Sequence, residues 1–558
     1  MNTKLVTIFT LLVMAAVIGI GLLIDWPADT STTSVIVQGN DFEAAAEAVR
    51  SVGGEITHEL GVIRAVGTKL TGPQLTRLKD LPDLRVHENR SVEVCGKPSK
   101  EEPYGVVARA VVADQLHYEN ITGAGITIAV LDTGLWAYPP ITKGASNNER
   151  ILRQYDAIDD LIVGGSTSPD TDDVYGHGSH VTSIAVSSSD AEKGAYNGVA
   201  PDAAVVSVKA FGSAGVGTYA DVIRGVDWVV QNKDTFGIRV LNCSFSAPPR
   251  SHYWDDPLNQ AVMAAWQAGI VVVASAGNTG PDPMTIGVPG NVPYVITTGA
   301  MTDNFTPYDQ SDDSLASFSS AGPTYEGFVK PDLVAPGGHV LGLMSSQMVL
   351  PQTYPEFYDQ AQYFEMSGTS QAAAVVSGIA ALILQVEPSL TPDDVKCRLM
   401  STARPRADGG NANSSASYSI LQQGAGLVHA WDAAYSTDYA CVNSGLDVAN
   451  DLAGIEHYGG RVHQAADGSF YLADPYDDEG DGDGILEGDG YTWTGAYLWN
   501  DGWVWSVAYL WNDAYLWNDA YLWNDAYLWN DGYLWNDAYL WNDGLAEPMS
   551  VNVWVDQE

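Results

Sequence analysis

Four polar side chains in this sequence have the types and spacing of a hydrolytic site. They are Asp132 after the apolar run 126–131, His177 in Gly-His-Gly-Ser-His, Asn278 at the end of the run 271–278, and Ser370 in Gly-Thr-Ser-Gln. A serine hydroxyl becomes a nucleophile when an imidazole accepts its proton, and a carboxylate holds the tautomer of that imidazole. A side-chain amide and a backbone N–H at a helix start can stabilise the oxyanion. The set therefore indicates hydrolysis by nucleophilic catalysis.

Short apolar runs alternate with helical stretches between about residues 104 and 435. The expected strands are 126–131, 204–208, 239–242, 270–274 and 294–298, and the expected helices are 222–231, 257–268 and 369–386. Continuous apolar strands separated by helices predict an α/β fold, with a parallel sheet covered by helices on both faces. Ligand sites in such folds lie at the carboxyl ends of the strands, where Asp132 and Asn278 are expected.

At these residues the sequence resembles the subtilisin-like serine proteases, the subtilase family. Four motifs carry the resemblance, namely Asp132-Thr-Gly, His177-Gly-Ser-His, Ala276-Gly-Asn and Gly368-Thr-Ser. It extends over about 104–435 and implies a subtilisin-like fold and a serine endopeptidase. By that resemblance Ser370 is the nucleophile, His177 the general base and acid, and Asp132 the orienting carboxylate. Asn278 donates to the oxyanion together with the backbone N–H of Ser370.

The same resemblance implies where a peptide substrate binds. Extended segments near Gly215, Gly217, Ser244 and Ser246 would pair with the substrate backbone as edge strands. The primary specificity pocket would be lined by Ala274, Ser275, Ala276 and Gly277. His180 is expected to be structural, because the family's catalytic histidine is the first of the pair.

Several residues depart from the family pattern. Gln371 and Ala374 stand where Met and Pro are usual after the nucleophile, and Thr182-Ser183 stands where Ala-Gly is typical. Ser246 replaces the usual Gly beside the substrate. These changes leave every catalytic group in place, and they bear on efficiency and subsite preference.

The N-terminal part of the chain indicates export and a zymogen. Residues 6–24 are uncharged and apolar after Lys4, which is typical of an export signal. A cleaved signal peptide (1–25) and an uncleaved membrane anchor through 6–24 are both open. Residues 34–94 form a predicted small α+β unit that resembles the family's inhibitory prodomain. We therefore expect the catalytic domain outside the cytoplasm, secreted or anchored, and self-cleavage between about Val94 and Tyr104.

The four cysteines exclude a disulfide-dense scaffold. Cys397 and Cys441 flank the end of the catalytic domain, and either a disulfide or two thiols is open for them. Cys243 lies in an apolar strand and is expected to be a buried thiol. Cys95 lies at the prodomain boundary.

The net charge of −43 argues against a nucleic-acid partner, which would require a cationic surface. From Asp447 to Glu558 there are 22 acidic residues and one basic residue, so this part forms a separate region. We interpret 445–495 as an acidic linker. Its stretch 477–484 is compatible either with a calcium loop or with a solvated linker.

Residues 496–543 contain eight hexads, seven of them Ala/Gly-Tyr-Leu-Trp-Asn-Asp. Three interpretations are open, namely a β-solenoid or tight meander, a partly disordered tail, and an array that binds carbohydrate or another surface. The hexads are expected to be dispensable for catalysis.

The sequence thus predicts an exported serine endopeptidase that acts on proteins or peptides and is inhibited by its own prodomain. The chemistry requires no cofactor, and structural calcium is a further expectation for which no ligands are assigned. The rival hypothesis is a catalytically degenerate protein that binds a surface through the aromatic hexads.

Overall fold

The computed structural model describes most of residues 32–472 and two strands of the hexad region, Tyr509–Asp513 and Tyr515–Asn518. Within 32–472 it omits 80, 82–83, 95–106, 165–172, 192–195, 305–312, 360, 406–417 and 466–467. The predicted export segment, the self-cleavage region, the acidic stretch 477–484 and most hexads lie outside the described residues. The chain divides into two compact units, the first ending at Asn89 and the second beginning at Arg90.

The first unit is a four-stranded antiparallel sheet with two helices. In sheet order the strands are Glu55–Leu60, Ala65–Thr71, Thr32–Gln38 and Arg85–Glu88; the helices are Phe42–Ser51 and Gly72–Lys79, with a 3-10 turn at Gly61–Ile63. The Asp41 side chain caps the first helix by accepting from the Ala44 N–H, at 2.8 Å. The predicted prodomain, 34–94, runs past the end of this unit.

The second unit is built on a nine-stranded sheet whose centre is parallel. Its path is Ser314–Leu315, Ile296–Thr302, Val271–Ser275, Ile238–Cys243, Thr127–Asp132, Ala204–Lys209, Ile151–Asp156 and Leu161–Gly164, with Leu333–Pro336 also on Ile296–Thr302. The first and last strands of the path pair antiparallel to their neighbours. The central strand Thr127–Asp132 is buried along its whole length, as expected for a strand with both faces covered.

Two groups of helices pack on this sheet. His177–Val186 contacts Thr369–Val386, and Tyr219–Phe236 contacts Pro257–Gln267. The other helices of this unit are Val107–Ala110, Ala113–Tyr118, Pro139–Thr142, Val349–Thr353, Pro392–Ser401, Ile420–Gln423, Ala430–Tyr435 and Val448–Leu452, with a 3-10 turn at Pro355–Phe357. The predicted α/β fold with a parallel sheet and packed helices is confirmed.

Polar side chains and a left-handed glycine set the ends of the long helices. Thr218 caps the helix Tyr219–Phe236, which ends at Gly237 with φ of 62°. Asp256 caps Pro257–Gln267 by accepting from the N–H groups of Leu258 and Asn259. Among the described residues, Thr369–Val386 is the one helix long and apolar enough to cross a membrane, and most of it is buried inside the protein.

Small two- and three-stranded sheets complete this unit. Val340–Leu343 pairs with Tyr363–Met366, and Val462–Gln464 pairs with Phe470–Leu472. Ser91–Val94 is the central strand of a three-stranded sheet, between Val216–Thr218 and Phe245–Ser246. In the hexad region, Tyr509–Asp513 and Tyr515–Asn518 pair in parallel.

Part of the predicted linker, 445–495, is folded, and here the structure differs from the prediction. The Asp451 carboxylate is buried and accepts hydrogen bonds from the hydroxyls of Tyr253 (2.6 Å) and Tyr294 (2.9 Å). The Gly460 N–H donates to the Glu326 carbonyl. The linker was predicted from its density of acidic residues, and composition does not distinguish a buried, hydrogen-bonded carboxylate from a solvated one.

For Cys397 and Cys441 the sequence left open a disulfide or two thiols, and the structure contains the disulfide. A disulfide joins Cys397 and Cys441, and it connects the helix Pro392–Ser401 to the residues that follow the predicted catalytic domain. Cys243 is a buried free thiol, as expected.

Candidate active site

Asp132 and His177 form a buried hydrogen-bonded pair. Asp132 is the last residue of a central strand and His177 the first residue of a helix. The His177 Nδ1 lies 2.8 Å from Oδ1 and 3.0 Å from Oδ2 of Asp132. The Thr133 N–H also donates to Asp132 Oδ1, at 2.7 Å. An ionised Asp132 accepts from Nδ1–H, which leaves Nε2 of the imidazole as a proton acceptor.

Burial raises the pKa of Asp132, because a low-dielectric interior disfavours the charged carboxylate. The charge and hydrogen bond of His177 oppose this rise, and the nearby Asp173 carboxylate adds to it. The hydrogen bond from His177 favours the ionised form of Asp132. The same hydrogen bond holds the imidazole in one orientation.

Asp173, which the sequence analysis did not single out, ties together the segments that carry this pair. Its Oδ1 accepts from the Thr133 hydroxyl (2.8 Å) and the Gly176 N–H (2.7 Å). Its Oδ2 accepts from the N–H (2.8 Å) and hydroxyl (2.6 Å) of Ser179. Thr133 in turn accepts from the Gly178 N–H, at 2.8 Å. The only sequence signal for Asp173 is a carboxylate four residues before the histidine.

The backbone around His177 leaves no room for larger residues. A Cβ atom on Gly178 would lie 2.3 Å from the Gly134 carbonyl oxygen. The loop after Asp132 and the helix of His177 therefore touch through backbone atoms, and this contact fixes the distance between the two side chains.

Ser370 lies in the first turn of the helix Thr369–Val386 and is buried. Its hydroxyl donates to the Ser244 carbonyl, at 2.9 Å, and the Ser244 hydroxyl donates to the Ser370 carbonyl, also at 2.9 Å. The start of this helix is close to the helix of His177, because Gln371 Nε2 lies 3.4 Å from His180 Nδ1.

Asn278 is oriented by the residue before the serine. Its Oδ1 accepts from the N–H (3.0 Å) and the hydroxyl (2.8 Å) of Thr369. Its Nδ2 is buried and has no hydrogen-bond partner among the described residues. A buried amide N–H₂ costs free energy when unpaired, so this donor is available for a ligand oxygen.

Gly217 and Ser246 lie on the two strands that flank Ser91–Val94. Both flanking strands run antiparallel to it, with Gly217 opposite Val92 and Ser246 opposite Glu93. Gly215 precedes the first flanking strand with φ of 71°, and Ser244 precedes the second. The structure thus brings these four predicted substrate-binding residues around one extended segment of the chain itself.

The predicted pocket residues lie on the neighbouring strand. Ala274 and Ser275 end the strand Val271–Ser275, and Ala276 and Gly277 follow it. The Ser275 hydroxyl donates to the Phe245 carbonyl, at 2.9 Å. This hydrogen bond connects the strand Val271–Ser275 to the strand Phe245–Ser246.

Ser246 projects between Gly277 of this pocket and the nearby Gly287. A Cβ atom placed on Gly277 would lie 3.2 Å from the Ser246 Oγ, and one placed on Gly287 would lie 1.9 Å from it. The hydroxymethyl group of Ser246 therefore fills space between the two glycine segments.

His180 is buried and hydrogen-bonded away from the pair. Its Nε2 lies 2.9 Å from the Phe364 carbonyl oxygen, and burial lowers its pKa to about 3. It is therefore neutral at physiological pH. Among the described residues, no group of three or more His, Cys, Asp or Glu side chains is arranged to hold a metal ion.

Comparison with known proteins agrees with this geometry. Residues 123–424 match the Subtilase family. The chain belongs to the subtilase family. It is 40% identical to serine protease AprX of Bacillus subtilis over 317 residues, which cover 56% of this chain and 67% of that protein. It is 34% identical to subtilisin DY of Bacillus licheniformis over 311 residues, which cover 55% and 93%.

A subtilase with these relatives is a subtilisin-type serine endopeptidase. The crystal structure of fervidolysin, a keratinolytic enzyme from Fervidobacterium pennivorans related to subtilisin, is similar with a TM-score of 0.57. The two are 22% identical, and the match covers 74% of this chain and 62% of fervidolysin. At that identity the likeness concerns the fold alone.

Proposed function

We propose that this chain is an exported endopeptidase made as a self-processing zymogen, with Asp132, His177 and Ser370 as its triad. The observation that carries the proposal is the strand Ser91–Val94, which lies between the two strands predicted to bind substrate. A segment of the chain itself thus lies where a peptide substrate is expected to pair by β-augmentation.

In the proposed mechanism Ser370 attacks the scissile carbonyl carbon while His177 Nε2 takes the hydroxyl proton. Asp132 holds the Nδ1–H tautomer and stabilises the imidazolium that forms. The same proton then passes to the leaving amine, and an acyl-enzyme remains on Ser370. Water, deprotonated by His177, hydrolyses that ester in the second half of the reaction.

Asn278 Nδ2 and the Ser370 backbone N–H would stabilise the oxyanion of each tetrahedral intermediate. The unpaired Nδ2 supports this role, since it gains its missing partner as the oxyanion develops. The Ser370 N–H belongs to the first turn of a helix, where backbone donors lack helical acceptors.

The strand register points to the bond that is cut. Val94 pairs with Phe245 and Glu93 with Ser246, so the strand ends opposite the residue next to Ser244. The Ser244 carbonyl is the group that Ser370 contacts. We therefore propose cleavage between residues 95 and 96, within the region predicted from the sequence. The N-terminal product would remain a competitive inhibitor until it dissociates.

Export is supported by the apolar N-terminal sequence and by the disulfide Cys397–Cys441, since disulfides persist in oxidising compartments. The hexads would serve attachment or assembly. The proposed catalytic residues all precede the hexads in the sequence. The hexads repeat Tyr and Trp, whose side chains suit binding.

Expression of the full chain and its Ser370→Ala variant in a protease-deficient host tests the proposal. N-terminal sequencing of the wild-type protein should give a mature chain that begins at residue 96, whereas the variant should keep residues 34–95. A mature N-terminus in the variant would show that another enzyme cuts the chain. A second variant that ends at Gly490 should hydrolyse a small peptide at the full-length rate if the hexads are accessory.

A further inference from the structure

Arg90, immediately before the strand Ser91–Val94, is held by contacts with Asp256 and Tyr219. Its guanidinium Nη2 lies 2.5 Å from Asp256 Oδ2, and the side chains of Arg90 and Asp256 are 14% and 1% exposed. The guanidinium carbon lies 4.4 Å from the ring centroid of Tyr219, whose side chain is fully buried. The Tyr219 N–H also donates to the Arg90 carbonyl, at 2.6 Å.

The acceptor groups are held by their own elements rather than by Arg90. Asp256 Oδ1 caps the helix Pro257–Gln267 by accepting from Leu258 N (2.9 Å) and Asn259 N (3.2 Å). Asp256 Oδ2 also accepts from the Tyr219 hydroxyl, at 3.2 Å. Since Tyr219 begins the helix Tyr219–Phe236, both groups are fixed before any arginine arrives.

We propose that Asp256 and Tyr219 form a binding site for an arginine side chain, at the sixth position before the scissile bond of a peptide. Arg90 occupies this site first, in the zymogen, and arginine-containing substrates occupy it after the N-terminal part has left. The inference rests on the proposed function, because the position is counted from a cut after residue 95.

The chemistry favours arginine over other residues. A planar guanidinium donates to a carboxylate and stacks on an aromatic face at the same time, which an ammonium group does less well. Once Arg90 leaves, Asp256 Oδ2 has lost its cation and keeps the hydrogen bond from the Tyr219 hydroxyl. A carboxylate held in place beside an aromatic face is preorganised for a new guanidinium, so the vacated site should bind one.

Paired substrates test the site in a single enzyme. Two peptides carry residues 90–95 followed by a chromogenic amide, one with arginine and one with citrulline at the first position. Citrulline keeps the shape but removes the charge. The self-processed wild-type enzyme should cleave the arginine peptide with kcat/KM roughly 10-fold higher, mostly through KM, since hydrogen bonds to charged groups are the strong ones.

Asp256→Asn is the matched variant, because asparagine caps a helix as well as aspartate does. In this variant the ratio of kcat/KM for the arginine peptide to that for the citrulline peptide should fall to about 1. A wild-type enzyme that cleaves both peptides equally, or a preference retained in Asp256→Asn, would overturn the arginine site while leaving the proposed function intact.

A second measurement does not depend on catalysis. In full-length Ser370→Ala protein, amide hydrogen exchange of residues 91–94 should speed up about 10-fold on adding Asp256→Asn or Arg90→Gln, and less on adding Arg90→Lys. If neither peptide is cleaved, the proposed function fails, and exchange then decides the arginine site alone. Unchanged exchange in both double variants would overturn it.

Discussion

The histidine side and the serine side of the site differ in how completely their hydrogen bonds are made. On the histidine side, Asp132 holds His177, and Asp173 accepts four hydrogen bonds from the surrounding backbone and hydroxyls. On the serine side, the Ser370 hydroxyl donates to the Ser244 carbonyl, and Asn278 Nδ2 has no partner among the described residues. The hydrogen bonds of the histidine side are made, whereas the serine side keeps an unpaired amide donor.

This difference fits the roles proposed for the two sides. A base needs a fixed tautomer and orientation before the reaction, so its contacts are made in advance. An oxyanion donor gains its partner only as charge develops, and such preorganised donors stabilise the transition state more than the ground state. A peptide strand that pairs with Ser244 competes for the carbonyl that now accepts from Ser370, which would release the hydroxyl for attack.

The largest effect is expected for Ser370→Ala. Removal of the nucleophile costs about 10⁶ in turnover in subtilisin, and we expect a loss of that order here. The measurement is peptide hydrolysis by protein whose N-terminal part has been removed by an unrelated protease. Ser377→Ala, which removes another buried serine of the same helix, serves as the control and should stay within a few-fold of wild type. Wild-type turnover by Ser370→Ala would reject the nucleophile.

Asn278→Ala should lower kcat by about 10²–10³, the cost known for an oxyanion asparagine in subtilisin, with little change in KM. Alanine also removes the acceptor for Thr369, so a second variant separates the two roles. Asn278→Asp keeps an acceptor oxygen and loses the donor. It should lose at least as much activity, because an ionised carboxylate repels the oxyanion. An active Asn278→Asp enzyme would show that Asn278 only orients Thr369.

Asp173→Asn should lower kcat/KM roughly 10-fold, since it weakens the contacts that place His177. It should also change the pH profile. Activity is expected to rise with pH through the imidazole titration, because the proposed base His177 must be neutral to accept the proton. The Asp173 charge raises the pKa of Asp132, so its removal favours the ionised Asp132 that the proposed mechanism already requires. The change that acts on the imidazolium is then the loss of a nearby negative charge, which favours the neutral imidazole, so the acidic limb should move to lower pH.

The control for this variant is Asp202→Asn, which removes a carboxylate that accepts from the Ser146 N–H in another loop. It should leave the acidic limb unchanged. Asp173 would be a purely structural residue if its variant lost activity equally at every pH.

The sequence predicted the fold class and the family because their signals are local. Strand periodicity and motifs such as Asp132-Thr-Gly occupy a few consecutive residues each. The partners of Arg90 and Asp451 have no such signal. Arg90 and Asp256 are 166 residues apart, and Asp451 lies 198 residues from Tyr253. Only the folded chain brings these groups together, so composition alone placed Asp451 in a linker.

The smallest effect concerns Gln371, which replaces the usual Met on the serine side. Gln371 is fully buried, its Oε1 has no hydrogen-bond partner among the described residues, and its Nε2 lies 3.4 Å from His180 Nδ1. Methionine has similar length and no buried acceptor to desolvate. Gln371→Met should therefore raise the free energy of unfolding by about 1 kcal/mol, with activity within twofold of wild type.

Chemical denaturation in a Ser370→Ala background measures this change without self-digestion. Gln423→Met is the matched control, because Gln423 is equally buried but donates to the Tyr418 carbonyl, at 2.8 Å. That variant should lose about 1–3 kcal/mol, since an acceptor is left without its donor. If Gln371→Met were destabilised as much as Gln423→Met, the Gln371 amide would be a working contact to His180. The serine side would then have spare hydrogen-bonding capacity at Asn278, the proposed oxyanion donor, but not at Gln371.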